Sequence, residues 1–324
     1  MRAQSRKHPV ALLILPLVLA ALLTGCRSSY PQLNLRPPEG VDAVSVPTPQ
    51  LRVPTSRRFG PEVPYVRLAI APVMSPSQTR QDFRRLLAYL PGQLDHPVEL
   101  VLRPTYAEIS HLIAQRLVDV ALVGNWSYVD IEGSHEVELL AVPQVDGQIE
   151  HRSYIIVSAK SSIFGLEDLR DERFLFTDPL SFSGRLYVLY RLAELGETEE
   201  TFFSRSLYSY NHHSSIMAVA EGWVTAAAVE SSVYRRLIHE SPGLEEKIRI
   251  IEVSPLVGNS PVIACTKLPQ ELRDRLRDVL LHMHEDPEGQ KALAEMRIER
   301  FMPVGDELYD PVRQMRKTIM GTTR

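Results

Sequence analysis

VELVLRPTYAEISHLIAQRLVDVALVGNWS, residues 98–127, reads as strand, helix, strand and the opening of a further helix. Val98 to Leu102 is a short aliphatic run. Thr105-x-x-Glu108 is a capping box, in which the threonine hydroxyl receives a backbone N–H of the first helical turn. Ile109, Leu112, Ile113 and Leu117 then recur at helical spacing, so one face of that helix is apolar. Val118 to Val123 is a second aliphatic run, and Gly124-Asn125-Trp126-Ser127 ends it and starts another helix. Strands and helices alternating at this pace predict an α/β class, with a parallel sheet covered on its faces by helices.

The same rhythm extends in both directions. Upstream, Val66 to Val73 predicts a strand, and Phe83, Leu86, Leu87, Leu90 and Leu94 share a helix face. Downstream, strands are expected at 153–159, 173–177, 225–229, 249–253 and 262–264. Helices are expected over 184–194 and 215–221, and in a final amphipathic segment carrying Leu268, Leu272, Leu276, Val279, Leu280 and Met283. Two α/β units of comparable size thus occupy one chain. Ligands in open α/β sheets sit beyond the carboxyl ends of the strands, and a cleft between two units can close on a small solute.

The first 65 residues have a different character. Arg2, Arg6 and Lys7 precede an apolar run from Val10 to Leu23, which is shorter than the roughly 20 residues of a membrane span. The run ends in Leu23-Thr24-Gly25-Cys26, a bacterial lipoprotein processing site in form. Residues 1–25 are therefore expected to be a signal peptide and Cys26 the lipid-bearing residue, anchoring an extracytoplasmic protein to the membrane. Eight prolines between residues 27 and 64, without helical or strand period, predict an extended tether over 26–65. The chain has two cysteines; with Cys26 lipidated, Cys265 is left as a buried thiol in an apolar run.

A formal net charge of −4 argues against a nucleic-acid binder, whose phosphate contacts need a basic surface. No Ser-His-Asp order, phosphate-binding glycine loop, dinucleotide fingerprint or zinc-protease helix is present, so no enzyme, cofactor or metal is expected. Three strand-to-helix corners carry polar groups. Asp178-Pro179-Leu180-Ser181-Phe182-Ser183-Gly184 places serine hydroxyls and unpaired backbone N–H groups at a helix start, where the macrodipole favours an anion. Asn211-His212-His213-Ser214-Ser215 does the same, and adjacent histidines face different ways, which disfavours a metal. Gly124-Asn125-Trp126-Ser127 is the third, with Asn125 as its candidate donor.

Thr105-Tyr106-Ala107, Val118 through Ala121, Gly124 through Tyr128, Asp178-Pro179, Ser181 through Gly184, Asn211-His212, Asn259-Ser260-Pro261, His284 through Gly289 and Tyr309-Asp310-Pro311 occur in this order. In these stretches the chain resembles the phosphonate/phosphite/phosphate-binding proteins of ABC importers, a branch of the type II periplasmic binding proteins. The resemblance implies a two-lobed fold with the ligand in the cleft. Residues 66–150 and 260–318 are expected to form one lobe and 151–259 the other, with hinges near Ser153 and Ser254. It implies further that Tyr106, Ser181, Ser183, Gly184 and His212 hold a small phosphorus oxyanion, with Phe182 in place of a hydroxyl residue and His151 in place of a second tyrosine. The implied partner is a membrane permease of the ABC type; the alternative is a lipoprotein that senses the solute and reports to another protein. Relatives that take aminoalkyl phosphonates carry carboxylates where this chain has Ser232 and Ser260, so a compact anion is the expected ligand, although Glu230 lies close in sequence.

Overall fold

The computed structural model describes residues 64–133 and 137–322; Cys26, the signal region and the tether up to residue 63 lie outside the described residues. The chain begins with β1 (Val66–Ile70), buried along most of its length. It is followed by α1 (Pro76–Asp82), whose N-cap Ser75 accepts the Gln78 N–H, and α2 (Arg84–Leu94), which buries Leu86, Leu90 and Leu94. β2 (Val98–Leu102) pairs parallel with β1. At the start of α3 (Tyr106–Ala114) the Thr105 hydroxyl accepts the Glu108 N–H, the forward half of the expected capping box, a contact that contributes about 1 kcal/mol. β3 (Val120–Leu122) lies on the other side of β1, again parallel, and leads into α4 (Asn125–Glu132) and β4 (Val137–Gln144).

A two-residue strand, β5 (Glu150–His151), carries the chain to a second sheet, entered by β6 (Ser153–Ser158). There follow β7 (Arg173–Phe176), α5 (Tyr187–Glu194), α6 (Glu199–Phe202), β8 (Arg205–Tyr208) and α7 (His212–Ala220). β9 (Ala226–Glu230), α8 (Ser231–Glu240) and β10 (Ile248–Val253) complete this sheet, and β11 (Val257–Gly258) returns the chain beside β5. The first lobe then gains β12 (Val262–Cys265), α9 (Gln270–His282), α10 (Pro287–Met296) and β13 (Arg300–Met302). The last helix, α11 (Asp310–Thr322), packs on both α4 and α5 and buries Val312 and Met315.

The sheets run β13-β4-β12-β3-β1-β2 and β10-β6-β9-β7-β8. Neither is wholly parallel, a correction to the sequence reading. β12 is antiparallel to β3 and β4, and β6 is antiparallel to β9 and β10. The reason is the crossing between lobes. β1, β2, β3, β7, β8 and β9 all run toward the other lobe, whereas β6 and β12 enter their sheets from it and must run the opposite way. The crossing segments clasp each other, with Ser153 N donating to Ser254 Oγ at 2.8 Å and Ser254 N to Ser153 O at 3.0 Å. Strand ends that face the other lobe are thereby gathered in one place, and every strand-to-helix corner singled out in the sequence lies among them. Cys265 is buried, its thiol donating to Val118 O.

Candidate functional site

The corner after β7 is built around glycine. Ser181 Oγ accepts the Gly184 N–H at 3.0 Å, and Leu186 N reaches back to Ser181 O, winding Phe182–Leu186 as a π-helical turn ahead of α5. A Cβ on Gly184 would stand 2.4 Å from Thr177 Cβ and 2.9 Å from Ser181 Oγ, so only glycine lets this turn close on the strand. Gly184→Ala is expected to cost about 1–3 kcal/mol of stability through this overlap. A urea-unfolding midpoint equal to that of the wild type would show that the turn opens freely. Asp178, fully buried, accepts Leu180 N at 2.8 Å and Tyr106 N at 3.1 Å. Burial pushes its carboxyl up, and these two backbone donors work against that shift.

The second of those bonds crosses between lobes, because Tyr106 begins α3 in the first. A carboxylate at a helix N-terminus is favourably placed with respect to the macrodipole. The Tyr106 ring is buried and lies over Gly124, whose Cβ would come 2.6 Å from Tyr106 Cε2. Burial, then the charges of Glu230 and Asp178, hold the phenol well above its ordinary value, with a hydrogen bond from Ser181 opposing them. The phenol is therefore a neutral O–H donor, with Ser181 beside it.

His212, the first residue of α7, is completely buried. Its Nδ1 accepts the Glu230 N–H at 3.1 Å, so that nitrogen carries no proton and the ring hydrogen sits on Nε2. Nε2 is buried and has no hydrogen-bond partner. Burial lowers the imidazole to about 4, against which Glu230 pulls upward. At neutral pH His212 is thus an uncharged donor with one orphaned N–H. Buried polar groups are nearly always paired, and an orphan of this kind points to a ligand atom.

Glu230, at the end of β9, brings a carboxylate to the same place. Its Oε2 lies 4.0 Å from His212 Nε2, and its Oε1 accepts the Ser232 hydroxyl at 2.5 Å. Burial raises the group, yet His151, His212 and the Ser232 hydroxyl outweigh it and hold Glu230 below the usual carboxylate value. His151, on the crossing strand β5, is buried with Nδ1 3.2 Å from Asn259 Oδ1 and its ring edge-on to Phe182. The Asn259 amide nitrogen donates to Pro143 O and Gln148 O, so its oxygen faces the imidazole and His151 donates from Nδ1.

Tyr106, Ser181, Gly184 and His212 meet here, with His151 linked to them through Glu230 and Phe182. Ser183 is buried at the same corner and its carbonyl receives the Ser153 hydroxyl at 2.6 Å. Asn125 is engaged by the protein itself, donating to Gly258 O and accepting from Trp126 N, while Trp126 lies in the core. Glu230, which the sequence reading noted as close to Ser232 without placing it among the site residues, is a member of the cluster. Its signal was present, a lone acid at the end of an otherwise apolar strand. Among the described residues no group of three His, Cys, Asp or Glu side chains is arranged to hold a metal ion, and no helix is long and apolar enough to cross a membrane.

Two sheet-based lobes joined by paired crossing strands, with polar groups gathered between them, define a two-lobed binding protein of the periplasmic type. Residues 68–309 match the family described as ABC transporter, phosphonate, periplasmic substrate-binding protein, and the chain belongs to that family of extracytoplasmic substrate-binding components. It is 22% identical over 239 residues to the probable ABC transporter phosphite binding protein PhnD1 of Prochlorococcus marinus (strain MIT 9301), covering 70% of this chain and 80% of that one. The structure is similar to the binding protein component of an ABC phosphonate transporter from Pseudomonas aeruginosa, at TM-score 0.75 and 25% identity over 81% of this chain and 88% of that one. It is similar also to the Prochlorococcus marinus PhnD1 structure in complex with methylphosphonate, at TM-score 0.72 and 18% identity over 79% of this chain and 98% of the other.

Proposed function

We propose that this chain is a lipid-anchored receptor that captures a phosphonate, phosphite or phosphate and presents it to an ABC permease, with Tyr106, Ser181, Ser183, Gly184, His151 and His212 around the oxyanion. The observation that carries this reading is the orphaned His212 Nε2–H, a fixed neutral donor buried beside Glu230, whose charge also reaches the Tyr106 phenol at the Ser181 corner. Neutral donors suit an oxyanion that must also be released, because each hydrogen bond to a charged group contributes about 1.5–3 kcal/mol without an ion pair to break. Glu230 adds a condition, since a carboxylate in the cluster favours a ligand that brings its own proton.

The test is a thermal-shift and calorimetry panel of methylphosphonate, phosphite, phosphate, aminoethylphosphonate and sulfate. A ligand at 100 times its dissociation constant adds about 2.7 kcal/mol of stability, readily seen as a shifted melting point. Sulfate alone binding, or no shift with any phosphorus anion, overturns the reading. Deletion of the gene separates transport from sensing, because only loss of labelled-ligand uptake fits a permease partner. For the anchor, Cys26→Ser is expected to move the protein from the membrane to the soluble fraction and to abolish fatty-acid incorporation; wild-type protein found wholly soluble and unlabelled removes the anchor from the proposal.

A further inference from the structure

Away from the ligand cluster, one helix of the second lobe meets three segments of the first through charges. Arg236 of α8 forms a bidentate pair with Asp82 of α1, Nη1 to Oδ2 at 2.7 Å and Nη2 to Oδ1 at 3.2 Å. Arg235 Nε lies 2.9 Å from Asp146 Oδ2, in the turn after β4. Glu240 receives Arg297, which caps α10, and also Arg236 Nε at 3.0 Å. We propose that α8 is an ionic latch, centred on Arg236–Asp82, that holds the lobes together without touching the ligand and so sets how long the cleft retains it.

The three contacts differ in weight. Arg235 and Asp146 are exposed, and pairs of that kind contribute little. Arg236 and Asp82 keep only 14% and 9% of their side-chain surface, and the planar guanidinium meets the carboxylate fork to fork. Asp82 is held in place by Gln78 Nε2 at 2.7 Å, and Arg236 by Glu240, so little side-chain freedom is lost when they meet. The segment before α1 lies against the second lobe as well. Met74 belongs to an apolar cluster with Ile156, Leu175 and Ile216, and His212 N donates to Val73 O at 3.1 Å. When the lobes part, Asp82 and Arg236 are separated and rehydrated. The pair exists only in the closed arrangement, which is the differential contact a two-state equilibrium responds to. Among the described residues, neither side chain hydrogen-bonds Tyr106, Ser181, His151 or His212.

The experiment compares full-length wild type with Asp82→Asn, Arg236→Gln and the double variant Asp82→Asn/Arg236→Gln. Small-angle X-ray scattering of ligand-free protein reads lobe separation directly and does not depend on which solute binds; stopped-flow release of methylphosphonate reads retention. Each single variant should show a larger radius of gyration and release at least ten times faster, and the double variant should add less than about threefold in release rate to the larger single effect, since either change alone already breaks the pair. Melting curves identify a variant that has simply lost lobe one. Should Asp82→Asn do so by freeing Gln78, Arg236→Gln still decides the matter, because its loss leaves the Gln78–Asp82 contact intact. Single variants that scatter as wild type overturn the latch. So do single-variant effects that multiply in full in the double variant, which would assign them to separate local changes and not to the pair.

Discussion

His212→Leu should weaken methylphosphonate binding at least tenfold and should flatten the acid side of the stability profile. The binding loss is the Nε2–H donor to the oxyanion, at about 1.5–3 kcal/mol, which corresponds to roughly one to two decades in affinity. The Glu230 N–H also loses its acceptor, at about 1–3 kcal/mol for a buried donor left unpaired, a cost present with and without ligand that falls on stability. The pH effect has a definite sign. His212 falls from its ordinary 6.5 to about 4 in the folded protein, because burial disfavours the cation. In the unfolded chain it takes up a proton below about 6.5, so the fold loses stability as pH falls from there toward 4, by up to about 3 kcal/mol. Leucine has no such linkage. Urea midpoints measured at neutral pH and near pH 4.5 should diverge less in the variant; an equal acid loss in both proteins overturns the assignment.

A histidine beside an oxyanion can in general serve as an imidazolium with two donors. His212 is not placed to do so, because the Glu230 N–H at the end of β9 occupies Nδ1. A backbone donor supplied by a strand many residues downstream leaves no mark in the residues around Asn211-His212.

What was legible was local. Thr105 and Glu108 marked the start of α3 because capping depends on residues three apart, and Ser181 and Gly184 marked the corner after β7 for the same reason. Periodicity found the amphipathic face of α9, with Leu272, Leu276 and Leu280 buried. It did not find α8, whose Val233 and Leu237 are its only buried aliphatics, or the reversed direction of β6 and β12, which is set by the crossing between lobes and not by any residue within them. The resemblance supplied the two-lobed architecture and the positions of Tyr106 and His212. It directed attention to Ser232 and Ser260 as neutral positions, and there the structure changes the argument. The Ser232 hydroxyl is bonded to the Glu230 carboxylate, so the cluster contains an acid after all and the premise for excluding an ammonium is gone.

Glu230→Gln should therefore change how methylphosphonate binding depends on pH. Glu230 is held below the usual carboxylate value despite burial and is therefore ionised across the neutral range. Its Oε2 is 4.0 Å from His212 Nε2, so an oxyanion accepting that N–H lies within reach of the carboxylate. Two unit charges about 4 Å apart repel by about 4 kcal/mol at an effective dielectric constant near 20. A phosphonate monoanion offsets this by donating its P–OH hydrogen to Oε2; a dianion has no proton to offer and brings a second charge. Wild-type affinity should then fall as pH rises through the second ionisation of the ligand. In the glutamine variant the amide N–H donates to the dianion, so affinity should hold, and by about pH 9 the variant should bind at least tenfold more tightly than wild type. Aminoethylphosphonate supplies the second arm. Its ammonium satisfies Glu230 in place of the P–OH, so its binding should weaken at least tenfold in the variant, in the opposite sense to methylphosphonate at high pH. Calorimetry of both compounds from about pH 6 to about pH 9 reads the two arms together. Parallel pH profiles for wild type and variant would mean that Glu230 faces its serine and histidine neighbours alone and takes no part in choosing the ligand.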